Sequence, residues 1–184
     1  MKATDILMDE HRVIERVLGV LEAAVARSDR GDPVRPGLFL DAADFIQNFA
    51  DGSHHNKEEG VLFGAMIDAG VPQHGGPIPV MLSEHDHARA YTQAMRQAAE
   101  RWDDGDDDAR QQATKAARSY AALLRQHIAK EDQILFPLAE QAIPRGKHDG
   151  IAADFDRIEA EAVRAEIYAK YVALADALER EINA

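Results

Sequence analysis

The chain has 184 residues, enough for one domain with a real core and a small appendage. Its composition is that of an ordinary globular protein, 46% apolar and 29% charged, and its formal charge of −12 argues against nucleic acid and anionic membrane surfaces as partners. The complete lack of cysteine excludes disulfides, thiolate metal sites, iron–sulfur clusters and a cysteine nucleophile. The stretch "MKATDILMDEH" lacks the apolar core of a signal peptide, and no run is long enough to span a membrane, so the chain reads as cytoplasmic.

Helical periodicity dominates from the start. A first helix is expected to begin after Thr4 or Asp5, either of which could cap it, with an apolar stripe of Leu7, Ile14, Leu18, Leu21 and Val25. The Gly/Pro stretch at 28–37 ends it. A second helix is expected over 38–69, with Gly52 and Ser53 as a place to bend and Gly70 as the stop. After the loop at 70–77, a third helix is expected over 78–102, with Pro77 or Pro79 in its first turn. The acidic turn "DDGDDD" (103–108) lacks the loop-closing glutamate of a calcium site and reads as a solvated turn. A fourth helix is expected over 109–143 and a fifth over 151–182, the fifth carrying Ile151, Phe155, Ile158, Ala162, Ile167, Tyr171, Leu174 and Leu178. No segment alternates with period two. The expected fold is therefore all-α: an up-down-up-down four-helix bundle over 1–143, and an additional C-terminal helical extension over 144–184, packed on the bundle or at an interface.

Two segments resemble each other. "HHNKEEGVLF" (54–63) and "HIAKEDQILF" (127–136) both place a histidine four residues before a glutamate, follow the glutamate with a second acid, and close on Leu-Phe. Successive α-helical residues turn by about 100°, so residues four apart lie about 40° from each other on one face. His127 and Glu131 then share a stripe with Leu123, Leu124, Ile134, Leu135 and Leu138. His54 and Glu58 share one with Ile46, Ala50, Leu62 and Met66. His11 lies on the stripe of the first helix. His85 lies on that of the third, among Met81, Leu82, Ala88, Thr92 and Met95.

A lone carboxylate or imidazole in an apolar core is costly. Six of them, His11, His54, Glu58, His85, His127 and Glu131, converging from four helices call for a common partner, and a pair of metal ions supplies one. Oxygen and nitrogen donors without sulfur suit iron, manganese or zinc, among which the spacing does not choose. Of the remaining histidines, His55 and His87 are expected at the surface or behind a ligand, and His74 and His148 in or near Gly/Pro loops and solvated. Tyr168 and Tyr171 are expected to pack.

Over residues 5 to 140 the chain resembles the hemerythrin-like (HHE cation-binding) family, through His11, His54-x-x-x-Glu58, "EHDHAR" with His85, and His127-x-x-x-Glu131 followed by "ILFP". It is also similar in ligand order to the iron-centre repair proteins and to the iron-sensing domain of an F-box protein. The resemblance implies a non-heme di-iron centre, with Glu58 and Glu131 bridging and an oxo or hydroxo bridge between the irons. The chain departs from the oxygen carriers at Arg89, where they have a second histidine of the third helix. It also has Asp132 where they use a late aspartate, although the internal repeat favours Glu131.

Two six-coordinate metals need about twelve donor positions, and four histidines, two bridging glutamates and the oxygen bridge leave about two. These are open to water, O₂, NO, peroxide or another side chain, for which Glu159 is the candidate. Arg89 is expected to bond a ligating carboxylate or to form a surface ion pair. The functional expectations are a protein that binds or senses O₂, NO or iron, an enzyme acting on peroxide or in iron oxidation or repair, or a storage or structural bundle. The last helix could meet a protein partner or a second copy.

Overall fold

The computed structural model describes residues 2–184 apart from 161–163, and the side-chain surroundings of residues other than 158–167. The described residues form six helical runs and no strand. They are α1 (Ala3–Asp29), α2 (36–68), α3 (Pro77–Asp103), α4 (109–142), α5 (His148–Ala160) and α6 (Arg164–Asn183), with a 3₁₀ turn at Arg145–Lys147. The fold class matches the expectation. The expected fifth helix is described as two, α5 and α6, on either side of 161–163.

The ends differ from expectation by a few residues. α1 starts just after Lys2, so neither Thr4 nor Asp5 is its cap. Asp5 instead accepts a hydrogen bond from the Lys2 backbone N–H (2.9 Å), and the Thr4 hydroxyl donates to Glu140 (2.9 Å). Pro36 and Pro77 occupy the first turns of α2 and α3, where a missing N–H costs nothing. Gly70 ends α2 in the left-handed region (φ 98°), as its place in the sequence suggests.

The larger surprise is inside the helices. α2 is α-helical over Pro36–Phe45, π-helical over Ile46–His55 and again over Glu58–Leu62, and α-helical over Phe63–Asp68. α4 is α-helical over Ala109–Lys130, π-helical over Glu131–Leu135 and α-helical over Phe136–Ala142. The two repeated segments thus adopt the same irregular backbone. π turns are rare and concentrate at functional sites, because the wider turn re-aims side chains. Gly52 permits one of them: a Cβ there would stand 2.9 Å from the Gln47 carbonyl oxygen, five residues back.

The apolar core lies in two clusters. One includes Ile14, Leu18, Leu21, Phe39, Phe45, Phe49, Ala88, Met95, Tyr120 and Leu124, together with Tyr171 and Leu178 of α6. The other includes Leu7, Leu62, Phe63, Met66, Ile78, Met81, Leu135 and Phe136, together with Ile151 and Phe155 of α5. α1 and α3 run from the second cluster to the first, whereas α2 and α4 run from the first to the second. Each fully buried Leu, Ile or Phe side chain stabilises by about 1.5–3 kcal/mol, so both clusters hold the four helices firmly.

α6 is also pinned by polar contacts. Arg16 of α1 pairs with Asp176 and Glu179, Arg35 with Glu181 (2.6 Å), and the Tyr171 hydroxyl donates to Asp44 (3.0 Å). Tyr168 is partly exposed but packs on Phe49, so both tyrosines pack as expected. Ile134 departs from expectation. It is 60% exposed rather than on the core face, because it lies inside the π turn at Glu131–Leu135, where the smaller angle per residue carries it off the α-helical stripe. Leu82 is also partly exposed.

Candidate metal centre

Between the two apolar clusters lies a layer of polar side chains. His11 of α1, His54 and Glu58 of α2, His85 of α3, and His127 and Glu131 of α4 all meet there, and each is at most 1% exposed. A seventh residue, His55, joins them at 2% exposure. Its inward position follows from the π geometry of Ile46–His55. A π turn takes more residues per revolution, so neighbours diverge less than the α-helical angle requires. His54 and His55 therefore both face inward. His55 stacks on His85 with ring centroids 3.8 Å apart.

Each ring is held from behind by a carboxylate. The Nδ1 positions of His11, His54, His85 and His127 meet Asp132 (2.7 Å), Glu10 (3.0 Å), Glu59 (2.7 Å) and Glu84 (2.9 Å). His55 Nδ1 meets Asp51 at 3.3 Å. A carboxylate accepts from Nδ1–H, which fixes the tautomer and leaves the Nε2 lone pair pointing into the layer. Behind the carboxylates stand cations. Arg12 bonds Asp132, the fully buried Lys57 bonds Glu10, and Lys130 bonds Glu84. Arg89 bonds both Asp51 (2.7 Å) and Glu59 (2.6 Å).

The arrangement occurs twice. Glu10 and His11 on α1 match Glu84 and His85 on α3. Lys57-Glu58-Glu59 on α2 matches Lys130-Glu131-Asp132 on α4, with Phe136 stacked on His11 (5.5 Å) and Phe63 on His85 (6.1 Å).

The centre of the layer is unsatisfied. Nine buried side-chain atoms among the described residues have no hydrogen-bond partner, and seven belong here: Nε2 of His11, His54 and His55, and both carboxylate oxygens of Glu58 and Glu131. Native structures rarely leave such atoms unpaired without an ion or water to meet them. His85 Nε2 and His127 Nε2 face each other at 3.0 Å. With each Nδ1–H given to a carboxylate, that contact sets lone pair against lone pair. The separation is about that of two neighbouring ligands each about 2.1 Å from one metal.

Two groups of donors lie close enough to hold an ion each. One is His55, Glu58, His85 and His127; the other is His11, His54, Glu58 and Glu131. Glu58 is common to both. Glu131 reaches toward His11 (3.2 Å) in the second group and His127 (3.1 Å) in the first.

The electrostatics fit the same picture. Burial, then the Glu131 charge beside it, pushes the Glu58 carboxyl well above its ordinary range. Burial alone would also raise Glu131, but the His127 and His11 rings more than offset it and hold that carboxyl well below. Burial pushes His54 and His55 down, which favours the neutral ring a metal needs, whereas at His11 and His127 the neighbouring carboxylates, Asp132 and Glu131 at the first and Glu131 and Glu84 at the second, outweigh burial and push the rings up. The residues present thus fit metal ions in donor type, burial and orientation.

Residues 2–139 match the model of the hemerythrin HHE cation-binding domain. The chain belongs to that family. Its similar curated proteins include one from Mycobacterium bovis and ones from two strains of Mycobacterium tuberculosis, all named as uncharacterized. Each is 23% identical over 154 residues, covering 84% of this chain and 60% of the relative. The HHE chain therefore spans about 60% of the length of those curated relatives. No solved structure matches it.

All six residues singled out from the helical stripes and the internal repeat lie in the layer. His55, expected at the surface or behind a ligand, lies inside with a nitrogen among the donors. Glu59 and Asp132 lie behind His85 and His11 rather than between the rings, and Glu58 and Glu131 turn inward. Arg89 bonds the carboxylates behind His55 and His85, and no carboxylate of the two donor groups. His87 and His74 are exposed; His148 is half-buried at the start of α5, next to the turn at Arg145–Lys147. The Glu159 side chain lies outside the described residues, as do those of Ile158, Ala162 and Ile167.

Proposed function

We propose that this HHE domain binds two iron ions and is a non-heme di-iron protein that binds or senses O₂ or NO. The observation that carries the reading is the sharing of Glu58 by two buried donor groups, with Glu131 reaching rings of both. His11 and His54 would hold one ion, and His55, His85 and His127 the other, with Glu58 and Glu131 both shared by the pair. Two such ions supply redox capacity and an exchangeable position for a small ligand. Five rings, two bridging carboxylates and an oxygen bridge take up about eleven of twelve positions, leaving one.

The protein's own contribution is orientation. The five outer carboxylates keep each ring in the ligating tautomer, and against burial the rings and the cations beside Asp51, Glu59, Glu84 and Asp132 hold those four carboxyls below their ordinary range. The two apolar clusters exclude water from above and below the layer. The overall charge of −12 supports a small neutral ligand or a metal over nucleic acid as partner, and the lack of cysteine supports a cytoplasmic setting. Among the described residues no helix is long and apolar enough to cross a membrane.

The test is metal content per chain with an optical spectrum of the same sample. Two irons with an oxo-bridge band support the reading; no iron after anaerobic reconstitution with ferrous iron refutes it. Exposure of the loaded protein to O₂, NO and peroxide then separates reversible binding from turnover. Peroxide turnover faster than by free iron would replace the sensor reading by an enzyme.

A further inference from the structure

The two remaining unsatisfied atoms lie away from the centre of the polar layer. The Tyr120 hydroxyl and one guanidinium nitrogen of Arg96 are buried and have no hydrogen-bond partner among the described residues. Tyr120 and Arg96 both line one cavity of about 400 Å³ between α2, α3 and α4, and His55 forms part of its wall. A volume of that size suits a small organic molecule rather than a diatomic gas.

The lining specifies the chemistry. Ile46 and Ala88 give it a buried apolar side, and the exposed Gln47 and Gln93 stand at its mouth. Tyr120 is fully buried in the core, and burial, with the Asp51 charge nearby, pushes its phenol up, so it stays a neutral O–H donor. Arg96 brings a positive charge with no acid paired to it among the described residues. One acid, Asp51, also lines the cavity, but it is bonded to Arg89 and His55. The remaining donors all ask for an acceptor, and preferably an anionic one.

We propose that the cavity between α2, α3 and α4 binds a small carboxylate with a short apolar body, its oxygens meeting Arg96 and Tyr120 and its body lying against Ile46 and Ala88. The occupant stands beside His55 and touches the metal centre through that ring. Its anchors are not metal donors, so the site goes beyond the proposed di-iron function and forms without it.

The experiment is calorimetric titration of the full chain, metal-free and loaded with ferrous iron under anaerobic conditions. The probes are benzoate and its neutral analogue benzamide. Benzoate should bind both forms, and benzamide about tenfold more weakly or worse. Arg96→Met should weaken benzoate by about tenfold or more while leaving benzamide unchanged, and Tyr120→Phe should weaken benzoate by a smaller factor of about five. Arg118→Met, well outside the cavity, should change neither and controls for overall charge. Equal binding of benzoate and benzamide, or benzoate binding indifferent to Arg96→Met, overturns the proposal. So does a loaded wild-type protein that binds no benzoate. Benzoate bound with Arg96 dependence by a chain that takes up no iron would leave the cavity site standing and refute the di-iron reading alone.

Discussion

Lys57 is a fully buried lysine whose ammonium bonds Glu10, which in turn holds His54. Replacing it by methionine keeps the apolar stem and removes the charge. Glu10, itself only 3% exposed, then carries a buried negative charge without that partner. Breaking a buried pair from one side costs about 3–5 kcal/mol. For a chain of this size each kcal/mol moves the midpoint by about 2–4 °C. Metal-free Lys57→Met should therefore melt about 6–20 °C below the wild type in a circular dichroism scan. The double variant Lys57→Met/Glu10→Gln removes both charges and should regain most of that loss. Metal affinity separates the two effects. Glu10 fixes the His54 ring, and loss of such an outer partner lowers affinity by about 10–100-fold. The double variant should thus be stable yet bind iron more weakly in competition with a chelator. A single variant that melts within about 2 °C of wild type, or a double variant no more stable than the single, would refute the account of Lys57 as the counterion of a buried carboxylate.

Three further predictions concern the centre. Glu58→Ala and Glu131→Ala should abolish the metal pair in metal analysis, whereas Glu59→Ala and Asp132→Ala, which sit behind the rings, should weaken it by about 10–100-fold; equal loss in all four would overturn the inward register. His55→Ala should reduce bound metal while His87→Ala, on the exposed face of α3, leaves it unchanged; unaltered metal content in both would remove His55 from the donors. Gly52→Ala forces a Cβ to within 2.9 Å of the Gln47 carbonyl oxygen, so it should destabilise the chain by about 1–3 kcal/mol in urea unfolding. Wild-type stability there would mean that the π turn relaxes without cost.

The all-helical fold and the inner residues were legible because residues spaced by four stay on one face in the α-helix and in the wider π turn alike. On α1 the stripe from Leu7 to Val25 is buried at every position named for it, and on α2 the stripe from Ile46 to Met66 is too. The repeat at 54–63 and 127–136 pointed to Glu58 and Glu131 over their acidic neighbours. What escaped was whatever depends on a departure from the α-helical period. His55 and Ile134 are the clear cases: constant turning of about 100° per residue places them wrongly, and both follow or lie in π stretches. Gly52 was a readable signal of irregularity, though not of its kind. The outer carboxylates needed contacts between helices. Once His11 and His85 are inward, however, the neighbouring Glu10 and Glu84 can be seen as a matched pair, each bonding the lysine that precedes the inward glutamate of the next helix.

The doubled arrangement amounts to an approximate twofold axis running between the two donor groups. It relates the hairpin of α1 and α2 to that of α3 and α4, and a chain built this way would offer two identical coordination environments. One position spoils the equivalence: His55 on α2 corresponds to Ile128 on α4, so one group receives a third ring and the other an isoleucine packed in the apolar core. On the proposed di-iron reading, this single side chain would make the two ions chemically distinct and leave the open coordination on the group of His11 and His54. Ile128→His would restore the symmetry, and with it close the position where an external ligand can enter.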